Sequence, residues 1–493
     1  MTHLRCITLL ATILTVAAGA IPAGATILQV TKTADTNDGA CDSDCSLREA
    51  IVAANAHPGA DVILLPAGIY NLAIAGAGDS SAATGDLDIV GELTILGAGA
   101  TSTIIDARFL DRVFDIPAGS TLDMTGVTIR GGLVPGSGGG IRNHGTLTLA
   151  RVVVSGNTAS SGGLGGGIFS DGALDLRDST VNGNHADQGG GGIAADTSLT
   201  LANVTVSGNQ AGHFGGGLYL FADLQSTIAN ATITGNSAGE GGGAFVEQSA
   251  FIGTTFNDFH NTILAGNTAT THPDCSGTPF SGGYNILGVG DQCFDLKAAT
   301  HDKVGTFAAP LDPKLSTLSD NGGPTPTFAL LTGSPAIGGG NPAAPGSTTE
   351  ACELRDQRGV ARPGGTVCDV GAFEQTTACA TGGGNLCLNN DRFRVTVAWH
   401  TPDGKSGSGQ AVPLTGDTGY FWFFNPANVE ITIKALNGCG LGGHYWVFLS
   451  GLTNVAATIT VTDTVSGQTK TYTNAQGKTF QTVLDTGAFA TCP

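Results

Sequence analysis

Lysine is missing from most of this chain: none lies between Lys32 and Lys297. Charged residues make up only 12% of the 493 residues, and the formal net charge is −19. A nucleic-acid partner needs a basic stripe to neutralise phosphates, so that class of function is excluded. Glycine is plentiful, at 77 residues, but keeps no three-residue period, which excludes collagen. No glycine run is followed by Gly-Lys-Ser/Thr, so none is a phosphate loop. Beyond residue 25 no apolar run is long enough to span a bilayer. Few charges with many Gly, Thr, Ser and Asn and short apolar runs instead suggest an all-β chain rich in turns. Its acidity suits a cationic ligand such as Ca²⁺, or a neutral glycan.

The opening "MTHLRCITLLATILTVAAGAIPAGA" has the pattern of a secretory leader over 1–25, with Ala23-Gly24-Ala25 as its cleavage site. The expected location is secreted or cell-surface. Of the 11 cysteines, Cys6 falls in this leader. The remaining ones form sequence-local pairs: Cys41/Cys45, Cys275/Cys293, Cys352/Cys368, Cys379/Cys387 and Cys439/Cys492. Disulfides in an oxidising compartment are expected from them.

Three stretches repeat one another: "SGGGIRNHGTLTLARVVVSGNTAS" (137–160), "LGGGIFSDGALDLRDSTVNGNHAD" (164–187) and "GGGGIAADTSLTLANVTVSGNQAG" (189–212). Their Gly-Asn pairs recur at Asn157, Asn184, Asn209, Asn236 and Asn267. Short β-patterned runs within such a period predict a parallel β-helix of two or three strands per coil. Glycines are expected at its corners. The asparagines are expected in left-handed turns, stacked into a structural amide ladder. A further column, Asp178, Asn203, Asn230 and Asn261, reads as a second turn ladder.

Residues 26–93 are expected to form an N-terminal cap and first coils. In "CSLREAIVAANAH", Ser46 and Glu49 make a capping box ahead of an apolar stripe, predicting a short helix over the open solenoid end. The repeats occupy 94–295, and an irregular Pro-rich stretch follows over 296–378. From 379 to 493 the strand-like alternation predicts an antiparallel β-sandwich holding Trp399, Trp422 and Trp446. The tryptophans are expected in its core, or with Phe424 as a sugar platform.

"CSLREAIVAAN" (45–55) resembles the signature that opens many secreted bacterial β-helix proteins. "DPKLSTLSDNGGPTPTFALLTGSPAIGGG" (312–340), "DQRGVARP" (356–363) and "CDVGAFE" (368–374) look like the choice-of-anchor Q domain of the same group. The resemblance implies a pectate-lyase-like right-handed, single-stranded β-helix, secreted or surface-attached. It lends no catalytic residue, since the group has no agreed activity.

Alternate residues of a strand share a face. With Ile141, Ile168, Ile193, Leu218 and Ala244 turned inward, two outward columns result. One reads Arg142, Phe169, Ala194, Tyr219, Phe245. The other reads His144, Asp171, Asp196, Phe221, Glu247. Three readings of this strip compete. It is a solvated acidic face, or a glycan-binding strip of Arg142, Phe169, Tyr219, Phe221, Phe245 and Glu247 with Ca²⁺ at Asp171 and Asp196, or a catalytic site using Asp171, Asp196 and His144. A more remote carboxylate pair is Asp123 with Asp175. The strings that mark polygalacturonase-like enzymes, Asn-Thr-Asp, Asp-Asp, Gly-His-Gly and Arg-Ile-Lys, are absent. The expected function is therefore non-catalytic adhesion or glycan binding, with an extracellular glycan or surface protein as partner. The rival is a polysaccharide lyase or glycoside hydrolase.

Overall fold

The computed structural model describes residues 25–492 apart from 77, 79, 223–224, 248–256, 278, 292, 294–300, 364–366, 376–378, 380–383, 390–391 and 466–467. Up to residue 24 the expected leader, with Cys6, lies outside the described residues. The chain folds as a parallel β-helix succeeded by an antiparallel two-sheet domain. Four stacks of parallel strands run along the helix, of ten, ten, eight and six strands. Face A runs from Ile27–Gln29 to Phe280–Gly283, face B from Gly68–Asn71 to Lys303–Val304 and face C from Leu87–Asp88 to Cys275–Ser276. Face D, from Leu133–Pro135 to Thr268–Thr271, is a fourth short strand per coil, where two or three were expected.

The coil follows from the repeat. In Thr146–Ala150, Leu147 and Leu149 point in and are fully buried, as are their partners Leu174, Leu176, Leu199 and Leu201 in the next coils, within 2%. Stacked leucines make one continuous core from Val30 to Cys293. Glycines do two jobs at the corner before face C. Gly165 takes φ +65, and a Cβ on Gly192 would lie 2.7 Å from Gly217 O of the next coil. Coil spacing is thus set by bare backbone meeting bare backbone.

The asparagine ladder runs the length of the repeats. Asn157 Nδ2 donates to Asn184 Oδ1 at 3.0 Å, and the links Asn184–Asn209, Asn209–Asn236 and Asn236–Asn267 are each 2.9 Å. Asp274 ends it by accepting from Asn267 Nδ2 at 2.9 Å. The left-handed residue of each Gly-Asn turn is the glycine, such as Gly156 and Gly183, not the asparagine as expected. Buried asparagine is freed for the ladder because glycine takes the turn at no steric cost. Asp178, Asn203, Asn230 and Asn261 do sit at φ between 47 and 55.

That second column is more than a ladder. Asn203 Nδ2 donates to Arg355 O, Asn230 Oδ1 accepts from Glu353 N, and Asn261 Nδ2 donates to Glu350 O, each at 2.9 Å. The irregular stretch therefore returns along the helix as a strap, fastened by side chains that the turn leaves pointing outward. Gln357 and Ala372 bond to Thr205 and Thr232 of face B. Leu330, Ala336, Val370 and Phe373 form a small core with Ile263 and Ile286.

At the N-terminal end the helix Leu47–Ala56 carries the capping box, with Ser46 and Glu49 bonded reciprocally. Arg48 is fully buried against Asp35, at 2.7 Å, and donates to Ala82 O and Gly85 O. The expected cysteine pairs are all disulfides. Cys41–Cys45 closes the turn ahead of the capping helix, and Cys275–Cys293 lies at the far end of the coils. Cys352–Cys368 ties the strap to itself. Cys379–Cys387 enters the terminal domain, and Cys439–Cys492 joins its middle to the end of the chain. The terminal domain packs two five-stranded antiparallel sheets. Its ring core is Phe393, Phe421, Phe423, Tyr445 and Phe489. Trp422 and Trp446 are half-buried because each alternates with core residues of its strand, Phe421 and Tyr445, whereas Trp399 shares a face with Phe393, Val395 and Val397 and packs, half-buried, at the edge of the core.

Candidate functional site

Face C carries the outward columns in register. Asp88, Asp115, Arg142, Phe169, Ala194, Tyr219 and Phe245 are successive partners from coil to coil. They are not evenly exposed. Ala194 is fully buried and Tyr219 retains 8% exposure, so neither lies open as the alternation alone suggested. Tyr219 stacks on Phe245, with centroids 5.4 Å apart and planes 7° apart, and meets Phe221 edge-on at 4.7 Å. Phe214, from the turn before the glycine run, closes over Phe245 at 4.7 Å. The Tyr219 hydroxyl donates to the Glu247 carboxylate. Burial and that carboxylate push the phenol well above its usual range. The half-buried rings at the surface of this cluster are Phe214, Phe221 and Phe245, with Tyr219 as the piece that locks them together.

Arg142 is committed to Asp115 of the preceding coil, through Nε at 2.9 Å and a second, Nη2 contact. Phe169 stands beside it, half-buried, with the His144 ring edge-on at 6.4 Å.

The second column starts with a pair that residue order alone left unpartnered. His144 Nδ1 lies 2.5 Å from Asp171 Oδ1. Asp196, one coil further, is exposed. Burial, then the neighbouring Asp171 and Glu247 carboxylates, hold its pKa above the ordinary value. A histidine thus supports Asp171, while Asp196 faces only like charge. Asp123 and Asp175 are separated by Thr148 on face A, and Asp175 pairs with Arg177 of its own strand at 2.9 Å. They stand two coils apart, as the alignment of the repeats expected, and the Asp175 carboxylate is met by the Arg177 guanidinium.

The cysteines stand apart from this strip. Cys45, Cys368 and Cys387 are buried to 0%, 2% and 8% exposure, and each has its sulfur bonded to its partner's. A sulfur held in a disulfide offers no thiolate, so these residues cross-link the chain instead of serving as nucleophiles or metal ligands.

Among the described residues, one group of three His, Cys, Asp or Glu side chains has ligand atoms all within 4.8 Å of one another: Asp86, Asp88 and Asp115. Asp171 and Asp196 lie outside it, so the Ca²⁺ expected there lacks a third such ligand among the described residues. Hard cations take six or more oxygens, and two carboxylates hold one poorly.

In the terminal domain Trp399 packs on Phe423 at 6.0 Å and edge-on to Phe424 at 4.8 Å. Phe424 is 54% exposed and Trp446 lies on a different strand, so the rings do not form one platform. Sequence reasoning also missed a cleft of about 390 Å³ where helix, strap and terminal domain meet, lined by Arg151, Asp178, Arg355, Arg358 and Arg392. Arg358 and Arg392 are spent on Asp356 and Asp463. No periodicity marks this cleft, because its walls come from three distant parts of the chain.

No family model, curated protein or solved structure matches the chain.

Proposed function

We propose that this is an extracellular protein that binds glycan along the outward side of face C, without cleaving it. The reading is carried by the locked ring cluster of Phe214, Tyr219, Phe221 and Phe245, flanked by Glu247 and Asp196. Ring surfaces fixed in place offer apolar area to sugar faces at low entropic cost, and carboxylates accept from hydroxyls. The five disulfides fit an oxidising compartment. Among the described residues no helix is long and apolar enough to cross a membrane. The leader-like opening supports export, as does the resemblance of 45–55 and 312–374 to secreted CSLREA and choice-of-anchor Q proteins. The expected outcome is retention on one or more neutral or acidic polysaccharides. Phe221→Ala and Phe245→Ala each weaken it by roughly tenfold. Retention unchanged in both variants would remove the ring cluster from the reading.

A hydrolase or lyase is favoured by one observation, the His144–Asp171 pair beside the raised Asp196 carboxyl. An acid held above its usual range next to a supported carboxylate is an arrangement that general acid catalysis uses. Release of new chain ends that vanishes in Asp171→Asn/Asp196→Asn would make the protein an enzyme.

A further inference from the structure

The outward column of face C begins in a place unlike the rest of it. Asp88 and Asp115, in register on the first two strands, are buried to 2% and 6% exposure. The segment over them, which carries Asp86, is pinned from the other side by Arg48 through Ala82 O and Gly85 O. Asp88 Oδ2 in turn accepts from Ala82 N at 3.0 Å. Asp86 and Asp111 are also buried, at 6% and 9%. Four carboxyl groups are thus gathered with two guanidiniums, Arg112 and Arg142, a formal excess of two acidic groups.

Arg112 supplies a separate observation. It is 6% exposed and aimed into the cluster, with Nε 3.1 Å from Asp86 Oδ2. Yet Nε and Nη1 have no hydrogen-bond partner. A buried guanidinium among four carboxylates ordinarily finds a directed acceptor for every N–H. Here Asp115 accepts from Arg142 through both oxygens and Asp88 accepts from Ala82 N, yet the carboxylates still crowd one another. Their oxygens from Asp86, Asp88 and Asp115 lie within 4.8 Å of one another, the spread that oxygens take around a common Ca²⁺ at about 2.4 Å. An oxygen completing the shell of such an ion would also give Arg112 its missing acceptor.

We propose that Asp86, Asp88 and Asp115 bind a structural divalent cation, with Ca²⁺ as the ion of the right size and ligand preference. The ion offsets the excess of acidic groups and clamps the capping segment onto the first coils. This is independent of the glycan reading, since the site is buried and precedes the ring cluster by several coils.

The test uses the full chain, stripped with chelator and dialysed, with Ca²⁺ alone as probe and Mg²⁺ for comparison. Equilibrium dialysis should find one Ca²⁺ per chain at about 1 mM or below, and Ca²⁺ should raise the thermal midpoint more than Mg²⁺ does. Asp88→Asn and Asp115→Asn should each lower affinity by roughly tenfold or more, while Asp171→Asn/Asp196→Asn leaves it unchanged. No bound ion, or an ion kept by the first two variants, overturns the proposal. Should those variants fail to fold, wild-type crystals soaked in Tb³⁺ decide. An anomalous peak between the three carboxylates supports the site, and a peak elsewhere or none overturns it.

Discussion

Asn209 shows how much one side chain does in this fold. It is fully buried, its Nδ2 donates to Val181 O and Asn236 Oδ1, and its Oδ1 accepts from both the backbone N and the Nδ2 of Asn184. Truncation leaves the Asn184 N–H and the Val181 carbonyl buried without that partner, each costing about 1–3 kcal/mol. Asn209→Ala is therefore expected to lower stability by about 2–4 kcal/mol in urea unfolding. Thr200→Ala, on the outer side of face A, should fall within about 0.5 kcal/mol of wild type. Equal losses would mean that the ladder is incidental. Spacing alone pointed to this ladder, because identical residues one coil apart must stack. It could not say that the glycine takes the left-handed turn, since either residue tolerates it. Nor could it find the His144–Asp171 bond, which depends on how far two side chains lean across neighbouring coils.

At the scale of the strand and its corner, two glycines separate turn geometry from coil contact. Gly183 has φ +64 with no atom within 4 Å of an added Cβ. Gly192 would place its Cβ 2.7 Å from Gly217 O and 3.1 Å from the Asn209 amide. Gly183→Ala is expected to cost about 1–2 kcal/mol, the strain of an L residue in that conformation. Gly192→Ala should cost about 3 kcal/mol or more, because backbone on backbone cannot yield without opening face C. Thermal unfolding of the two variants checks the order, and a reversed order would refute the contact argument. Elements with a clear period were legible: the helix after Ser46, the leucine strands of face A and the glycine corners. Face D was not, since its two- to four-residue strands carry no alternation of their own.

For the whole molecule, burial of acids sets a pH dependence. Burial pushes Asp178 up to about 6 and Asp369 up to about 6, the latter with Glu374 adding to the shift. An acid whose folded pKa lies above its unfolded value holds its proton more tightly in the folded chain. Its charge works against folding at neutral pH, and that burden lifts as pH falls through about 6, completely below about 4. Asp178 stands in a column whose other members are Asn203, Asn230 and Asn261, so Asp178→Asn fits the site. It is expected to raise stability at pH 7 by on the order of 1–2 kcal/mol, after allowance for partial solvent screening, and to change little at pH 4. A gain that persists at pH 4 would put its origin elsewhere. Glu49 acts in the opposite sense: its capping-box bonds hold its pKa below the ordinary value, so stability is lost again as pH drops below about 4.

The sequence by itself determined the coil, the capping helix and the change to an antiparallel domain, because each rests on neighbours near in the chain or on a strict repeat; the sulfur pairing was an expectation that the fold had to decide. Only the tertiary structure decided what the repeat could not encode. The strap lies along Asn203, Asn230 and Asn261, although its hydrogen-bond partners there are separated by 89 to 152 positions. Tyr219 becomes a buried lock because Phe214 and Phe245 close around it, whereas strand alternation only placed it outward. The acids that come close enough to share an ion are Asp88 and Asp115 of the first two face C strands and Asp86, which lies on a segment held over them by Arg48. Alternation assigns a side chain to a face. What covers that face depends on segments that keep no period, and their position is set by burial and charge across the finished fold.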